Sequence, residues 1–130
     1  MRLTPSQAKD LRAGRPPARS EADVQRAILA YLRTVPGVYA FRCNSRVVRM
    51  PGKAGRERLV RFGVKGLPDI LLWRSERHGD QTVARFGAIE VKRPGGKPSP
   101  EQVAFLDLLR RAGGIAVLAT CVEDVAKALA

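Results

Sequence analysis

The chain has 130 residues, with 24 Lys and Arg against 12 Asp and Glu, which gives a formal charge of +12 and an isoelectric point near 11. This length fits one domain and an apolar content of 45% supplies a core, which disfavours a two-domain enzyme and wholesale disorder. The cysteines, Cys43 and Cys121, have no CxxC motif or neighbouring histidine, which disfavours a disulfide scaffold and a zinc site.

Positive charge is concentrated in two segments. Residues 1–20 carry five basic and one acidic side chain, residues 42–65 carry eight basic and one acidic, and everything else sums to +1. This clustering predicts a basic tail and a basic arm that contact phosphates, with a solubilising surface as the alternative. Because the longest apolar run, residues 115–122, is too short to cross a bilayer and no signal-like run begins the chain, we expect a cytoplasmic protein.

The first predicted element is a flexible basic tail over residues 1–19, rich in Arg, Ala and Pro, and the folded domain is expected to span residues 20–130. Ser20 is a predicted cap for a helix that Pro36-Gly37 ends and whose apolar stripe comprises Val24, Ala27, Ile28, Tyr31 and Leu32. Residues 38–44 then predict a strand. Residues 46–50 and 59–62 predict a hairpin around the turn at 51–55, and this hairpin is the basic arm.

The second half of the chain predicts further strands and two helices. Residues 69–73 are typical of a strand buried on both faces, which places Trp73 in the core; a polar turn at 75–81 leads to a strand over 83–92. Ser99-Pro100 predicts the start of a helix that Gly113-Gly114 stops, followed by a strand over 115–119 and a helix over 122–129. The fold class is α/β, with a mixed central sheet flanked by helices.

One pair of strands places acidic side chains together. In residues 88–92, Glu90 and Lys92 point to the same face of the strand, about 7 Å apart. A hairpin that turns between Gly79 and Asp80 pairs Asp69 with Glu90. Two carboxylates this close repel unless a cation lies between them, and oxygen ligands without histidine or cysteine suit Mg²⁺ or Mn²⁺.

Two helix starts offer further polar side chains. Glu21 lies in line with Ile28 on the rim of the buried stripe, which predicts an inward carboxylate; a favourable interaction with the positive helix end is the alternative. Gln102 shares a face with Phe105 and Leu106. It either closes the capping box with Ser99 or reaches into the site, and the two roles carry equal weight.

These motifs resemble a known family. Pro68-Asp69 and Glu90-Val91-Lys92, on a frame of helix, three strands, helix and strand, resemble the restriction-endonuclease-like PD-(D/E)XK nuclease core. With Ser20-Glu21, Gln25, residues 63–69, residues 89–97, residues 99–102 and Gly113-Gly114, the pattern resembles the VRR-NUC nucleases over about residues 20–125, and within them the compact stand-alone bacterial and phage members.

The resemblance implies a Mg²⁺- or Mn²⁺-dependent endonuclease that hydrolyses phosphodiester bonds in DNA. Asp69, Glu90 and the Val91 carbonyl would ligate the metal, and Glu21 would bind it directly or through water. Lys92 would orient the attacking water and stabilise charge on the phosphate, while Gln102 would help position the site. The resemblance further implies a symmetric homodimer that cuts branched DNA such as four-way (Holliday) junctions.

The basic arm is expected to lie along the DNA backbone, through Arg46, Arg49, Lys53, Arg56, Arg58, Arg61 and Lys65. Base stacking is not expected, because aromatic residues make up only 5% of the chain and Trp73 is assigned to a strand core. The alternatives are a non-catalytic nucleic-acid-binding module on the same fold, which has no need for Asp69, Glu90 and Lys92 together, and a basic RNA-binding protein of ribosomal type.

Overall fold

The computed structural model describes residues 5, 12, 19–43 and 46–130. The elements in chain order are α1 (Glu21–Leu32), β1 (Val38–Arg42), β2 (Arg46–Pro51), β3 (Glu57–Phe62), β4 (Ile70–His78), β5 (Gln81–Val91), α2 (Pro100–Arg111), β6 (Ile115–Ala119) and α3 (Val122–Leu129). This order confirms the predicted α/β fold class. Most of the predicted tail, residues 1–18, lies outside the described residues apart from positions 5 and 12, so the tail stays a prediction.

The central sheet has the strand order β1-β4-β5-β6. Strands β1, β4 and β5 are antiparallel in succession, whereas β6 runs parallel to β5. A parallel neighbour requires a crossover connection, and α2 supplies it. Strands β2 and β3 pair with each other in a separate antiparallel ribbon joined by a short 3₁₀ turn over Lys53–Gly55, which is the predicted basic arm.

The hydrophobic core lies on one face of the sheet. Alternate strand residues such as Ile70, Leu72, Ile89 and Val91 point to this face and are fully buried, as their spacing of two requires. Helices α1 and α3 cover them through Val24, Ile28, Leu32 and Val125. On the opposite face α2 packs mainly against β5 and β6. None of these helices is long and apolar enough to span a membrane, so far as the described ranges extend.

Both predicted helix starts are confirmed as capping boxes. The Ser20 hydroxyl accepts a hydrogen bond from the Asp23 amide (3.1 Å), and the Asp23 carboxylate accepts one from the Ser20 amide (3.2 Å). Ser99 and Gln102 repeat the arrangement at α2, where Pro100 occupies the first turn.

Strand β4 is longer than predicted. Residues 75–78, assigned to a turn, continue the strand and pair with β5 as far as His78 opposite Gln81, so that the turn contains only Gly79 and Asp80. Their polar character reflects exposure beyond the core rather than a break in pairing. The prediction that this strand is buried on both faces is wrong at Trp73, which is 42% exposed because α2 packs mainly against β5 and β6 and leaves this side chain partly uncovered.

Candidate active site

Asp69 and Glu90 meet where two central strands end. Strand β4 pairs with β5 in the predicted register, Ile70 opposite Ile89, and Asp69 immediately precedes this pair. The Asp69 carboxylate accepts a hydrogen bond from the Val91 amide (2.8 Å), which fixes it beside the end of β5. The expectation that the hairpin brings these two acids together is therefore confirmed.

The Glu90 side chain is buried, with the residue 1% exposed, and its two oxygens are bonded unequally. Oε1 accepts a hydrogen bond from the Gln102 side-chain amide (2.7 Å) and lies 3.0 Å from the Lys92 ammonium nitrogen. Oε2 is equally hidden but has no hydrogen-bond partner within the described part of the chain. Leaving a buried carboxylate oxygen without a hydrogen-bond partner destabilises the folded protein by roughly 1–3 kcal/mol or more. Such an oxygen is typical of a position that binds a positively charged group.

For both Glu90 and Lys92, burial and the hydrogen bond between the two side chains shift the pKa in opposite directions. Burial raises the pKa of Glu90 to about 7, the hydrogen bond from Lys92 opposes that rise, and the neighbouring Asp69 charge adds to it. Burial alone favours the neutral amine of Lys92, but the hydrogen bond and charge of Glu90, with the charges of Glu21 and Asp69, raise the pKa of Lys92 above its ordinary value. Lys92 is therefore an ammonium group held against an acidic pair.

Gln102 fulfils both of the roles that its sequence position left open. Its carbonyl oxygen accepts a hydrogen bond from the Ser99 amide (2.8 Å) and closes the capping box, while its NH₂ group donates to Glu90. One amide side chain can do both because its acceptor and donors lie on opposite sides of the same plane. The first turn of α2 is thus hydrogen-bonded to Glu90 of the acidic pair.

The expectation of an inward Glu21 carboxylate is wrong. Glu21 is the first residue of α1 and is exposed, as is Ala22, so the buried stripe of the helix begins only at Val24. Its charge contributes to the raised pKa of Lys92, so it faces the same region. No group of three or more His, Cys, Asp or Glu able to hold a metal exists among the described residues, so Glu21 does not complete a triad with Asp69 and Glu90. Binding through water stays a prediction.

The expected DNA-binding side chains are largely exposed. Arg49, Lys53, Arg56 and Arg58 project from the ribbon, with Arg49 3.7 Å from Glu57. Lys65 does not belong to the ribbon: it lies in the next loop, 3.0 Å from the Glu101 carboxylate in the first turn of α2. The side chains of Arg46 and Arg61 lie outside the described part of the structure.

The donor set fits the divalent metal that the sequence resemblance implies. Two carboxylates, one with a buried oxygen that no described residue pairs, supply hard oxygen ligands of the kind Mg²⁺ and Mn²⁺ prefer. The metal-binding assignment of Asp69, Glu90 and the Val91 carbonyl is consistent with this donor set and stays a prediction.

The comparisons with known proteins point to one family. The family model described as VRR-NUC domain matches residues 41–123, a range that includes Asp69, Glu90, Lys92 and Gln102 but not α1. No curated protein and no solved structure matches the chain significantly.

Proposed function

Because this chain belongs to the VRR-NUC family, whose nucleases have a PD-(D/E)XK-type core, we propose that it is a Mg²⁺- or Mn²⁺-dependent DNA endonuclease. The observation that supports the metal dependence is the Glu90 carboxylate, which has two donors on one oxygen and, among the residues that the structure describes, none on the other. A cation shared with Asp69 would satisfy the second oxygen and relieve the repulsion between the two acids.

Asp69, Glu90 and the Val91 carbonyl would hold the metal, with Glu21 reaching it through water. When bound, a divalent ion activates water for attack and neutralises charge on a phosphodiester. Lys92 has three N–H donors and no acceptor, so it acts by donating to the attacking water or a phosphate oxygen, not by removing a proton. Gln102 keeps the Glu90 carboxylate in one orientation, which is the positioning that rapid chemistry requires.

The proposed substrate is branched DNA, such as a four-way junction, cut by a homodimer. Two symmetry-related sites suit a junction with an approximate two-fold axis. The exposed cations of the ribbon, with Lys65, supply contacts to the phosphate backbone that position DNA without reading its sequence. We also propose the cytoplasmic location that the sequence predicts.

A cleavage assay tests this function. Labelled four-way junction, flap, linear duplex and single-stranded DNA are each mixed with the protein in Mg²⁺, in Mn²⁺ and in chelator. We expect cutting in either metal and none in chelator, with the junction cut fastest. A protein that binds DNA but cuts no substrate in any metal would be a binding module instead.

Variants at the site complete the test. Asp69→Ala and Lys92→Ala should abolish cleavage while DNA affinity in chelator changes only a few-fold, because neither side chain belongs to the ribbon. Lys127→Ala, an exposed lysine on α3, is the matched control and should cut normally. Equal loss of binding and cleavage would assign Asp69 and Lys92 a structural role.

A further inference from the structure

An exposed row of aromatic side chains crosses the sheet on the face that holds the acidic pair. Tyr39, Trp73 and Phe86 are directly opposite one another on β1, β4 and β5, and Phe41 lies two residues along β1. The exposed fraction is 58% for Tyr39, 42% for Trp73, 45% for Phe86 and 41% for Phe41. We call these four residues the aromatic row.

The row has a fixed internal geometry. The rings of Tyr39 and Trp73 are stacked, with centroids 4.6 Å apart and planes 15° from parallel. Phe41 meets Trp73 edge to face at 6.5 Å. Such contacts hold the rings in place before any ligand arrives, so little conformational entropy is lost on binding.

The aromatic row lies on the same face as the candidate site because of strand periodicity. Side chains of Asp69 and Trp73 are four residues apart, and those of Phe86 and Glu90 are likewise four apart, so each pair points the same way. Four residues of strand span about 13 Å. A DNA strand advances about 3.4 Å per nucleotide when stacked, so Trp73 is within a few nucleotides of a phosphate held at Asp69 and Glu90.

The exposed area of the aromatic row and the net charge of the chain indicate which kind of ligand binds there. Aromatic side chains offer about 150–250 Å² each, so these exposed fractions leave roughly 400 Å² of aromatic surface. That is about half of the ~800 Å² that each partner of a standard protein interface buries. A chain of net charge +12 also attracts a polyanion. A nucleic-acid strand combines the aromatic faces of its bases with the negative charge of its phosphates.

We infer that the aromatic row stacks unpaired bases of DNA next to the cutting site, so that branched DNA with nucleotides unpaired within a few positions of the scissile phosphate gains a contact that fully paired DNA lacks. This inference rests on the proposed DNA substrate but not on cleavage. Base pairing buries the base faces in the duplex stack, so a blunt duplex cannot use this surface.

Trp73 supplies the readout because it is the only tryptophan of the chain. The full protein in chelator is titrated with oligothymidylate, with a blunt duplex and with inorganic polyphosphate, and tryptophan fluorescence and affinity are recorded. We expect quenching of Trp73 emission by oligothymidylate but not by duplex or polyphosphate. Tyr39→Ala should weaken oligothymidylate binding about tenfold and leave duplex affinity within twofold.

The control variant is Leu108→Ala, an exposed apolar side chain on α2 outside the aromatic row, which should bind all three ligands as the parent protein does. Equal quenching by polyphosphate, or duplex and oligothymidylate affinities that fall together in Tyr39→Ala, overturns the inference and leaves the proposed function intact. Loss of a dimer in sedimentation of Tyr39→Ala shows that a second copy occupies the row and also overturns it. Failure to bind any DNA overturns the inference and the proposed function together.

Discussion

At the scale of single residues, Glu90 determines the character of the site. It is buried between Lys92 and Gln102, which both contact one of its oxygens, and its other oxygen has no partner in the described structure. An unliganded protein therefore keeps a carboxyl group in an unfavourable place. Such a cost is typical of a functional position, where binding rather than folding supplies the missing partner.

The cost at Glu90 predicts a pH dependence of stability in chelator. The pKa of Glu90 is raised from 4.5 to about 7, so the folded state holds a proton that the unfolded state has lost. Its stabilisation is full below pH 4.5 and is lost as pH rises through 7, for a change of up to about 3 kcal/mol in the free energy of unfolding. Glu90→Gln should remove this slope in denaturant titrations at pH 5 and pH 8.

Glu57→Gln is the control for that experiment, because it makes the same change of charge at an exposed ribbon residue and should retain the parental slope. A Glu90→Gln protein that loses as much stability between pH 5 and pH 8 as the parent would contradict the prediction.

The two roles of Gln102 can be separated by substitution. Gln102→Glu retains an acceptor for the Ser99 amide but cannot donate to Glu90, so we expect normal helix capping and cleavage reduced about tenfold or more. Ser99→Ala removes the hydroxyl cap, which should cost about 1 kcal/mol of stability. Cleavage by Ser99→Ala should stay within a few-fold of normal. If Gln102→Glu cuts DNA at the parental rate, its hydrogen bond to Glu90 does not serve the reaction.

At the scale of elements, the loop before β4 packs closely against the first turn of α2. Gly66 has φ of +79°, and a Cβ there would lie 2.7 Å from the main-chain carbon and oxygen of Glu101. Lys65 adds an ion pair with the Glu101 side chain. Because Gln102 is the next residue, this close packing determines where its amide meets Glu90.

We therefore expect Gly66→Ala to displace the first turn of α2 and lower cleavage more than it lowers DNA binding. Its effect combines an unfavourable backbone conformation of about 1 kcal/mol with a steric clash. Rates and affinities on the four-way junction measure the two effects. Gly95→Ala, where φ is +81° but a Cβ meets nothing within 4 Å, is the matched control. Equal behaviour of the two variants would show that the contact with Glu101 is unimportant.

The ribbon β2–β3 supports a prediction about salt. Each phosphate contact contributes about 0.9 to the slope of log affinity against log salt concentration on duplex DNA. Replacing Arg56 and Arg58 with Gln should therefore lower the magnitude of that slope by about 2. Arg33→Gln with Arg111→Gln, at exposed positions near the ends of α1 and α2, removes equal charge elsewhere and should leave the slope unchanged. An unaltered slope in the Arg56 and Arg58 variant would exclude both from phosphate contact.

At the scale of the whole molecule, positive charge and acidic chemistry are kept apart. The chain carries a formal charge of +12, yet its central sheet ends in the buried Glu90 and the half-buried Asp69. The cations of the ribbon and Lys65 are on the outside, where they attract a polyanion without occupying the acidic pair. The ribbon thus attracts the polyanion, whereas the proposed catalysis takes place at the end of the central sheet.

Net charge of this size also predicts that salt stabilises the protein. Self-repulsion of the folded chain is screened as the Debye length falls from about 10 Å at 0.1 M to about 3 Å at 1 M. Thermal unfolding in about 0.5 M NaCl should occur several degrees above that in about 0.05 M NaCl. A double variant, Arg77→Glu with Lys97→Glu, carries less positive charge and should show a smaller rise. A parent protein that melts lower in salt would contradict this.

The amino-acid sequence by itself determined the order of elements, the capping residues Ser20 and Ser99, and the register that brings Asp69 to Glu90, because each depends on neighbours in the chain or on a tight hairpin. Only the tertiary structure decided which faces are covered. Trp73 lies outside the core because α2 packs mainly against β5 and β6, and Glu21, the first residue of α1, is exposed. Burial depends on what packs opposite a residue, and local periodicity carries no information about that partner.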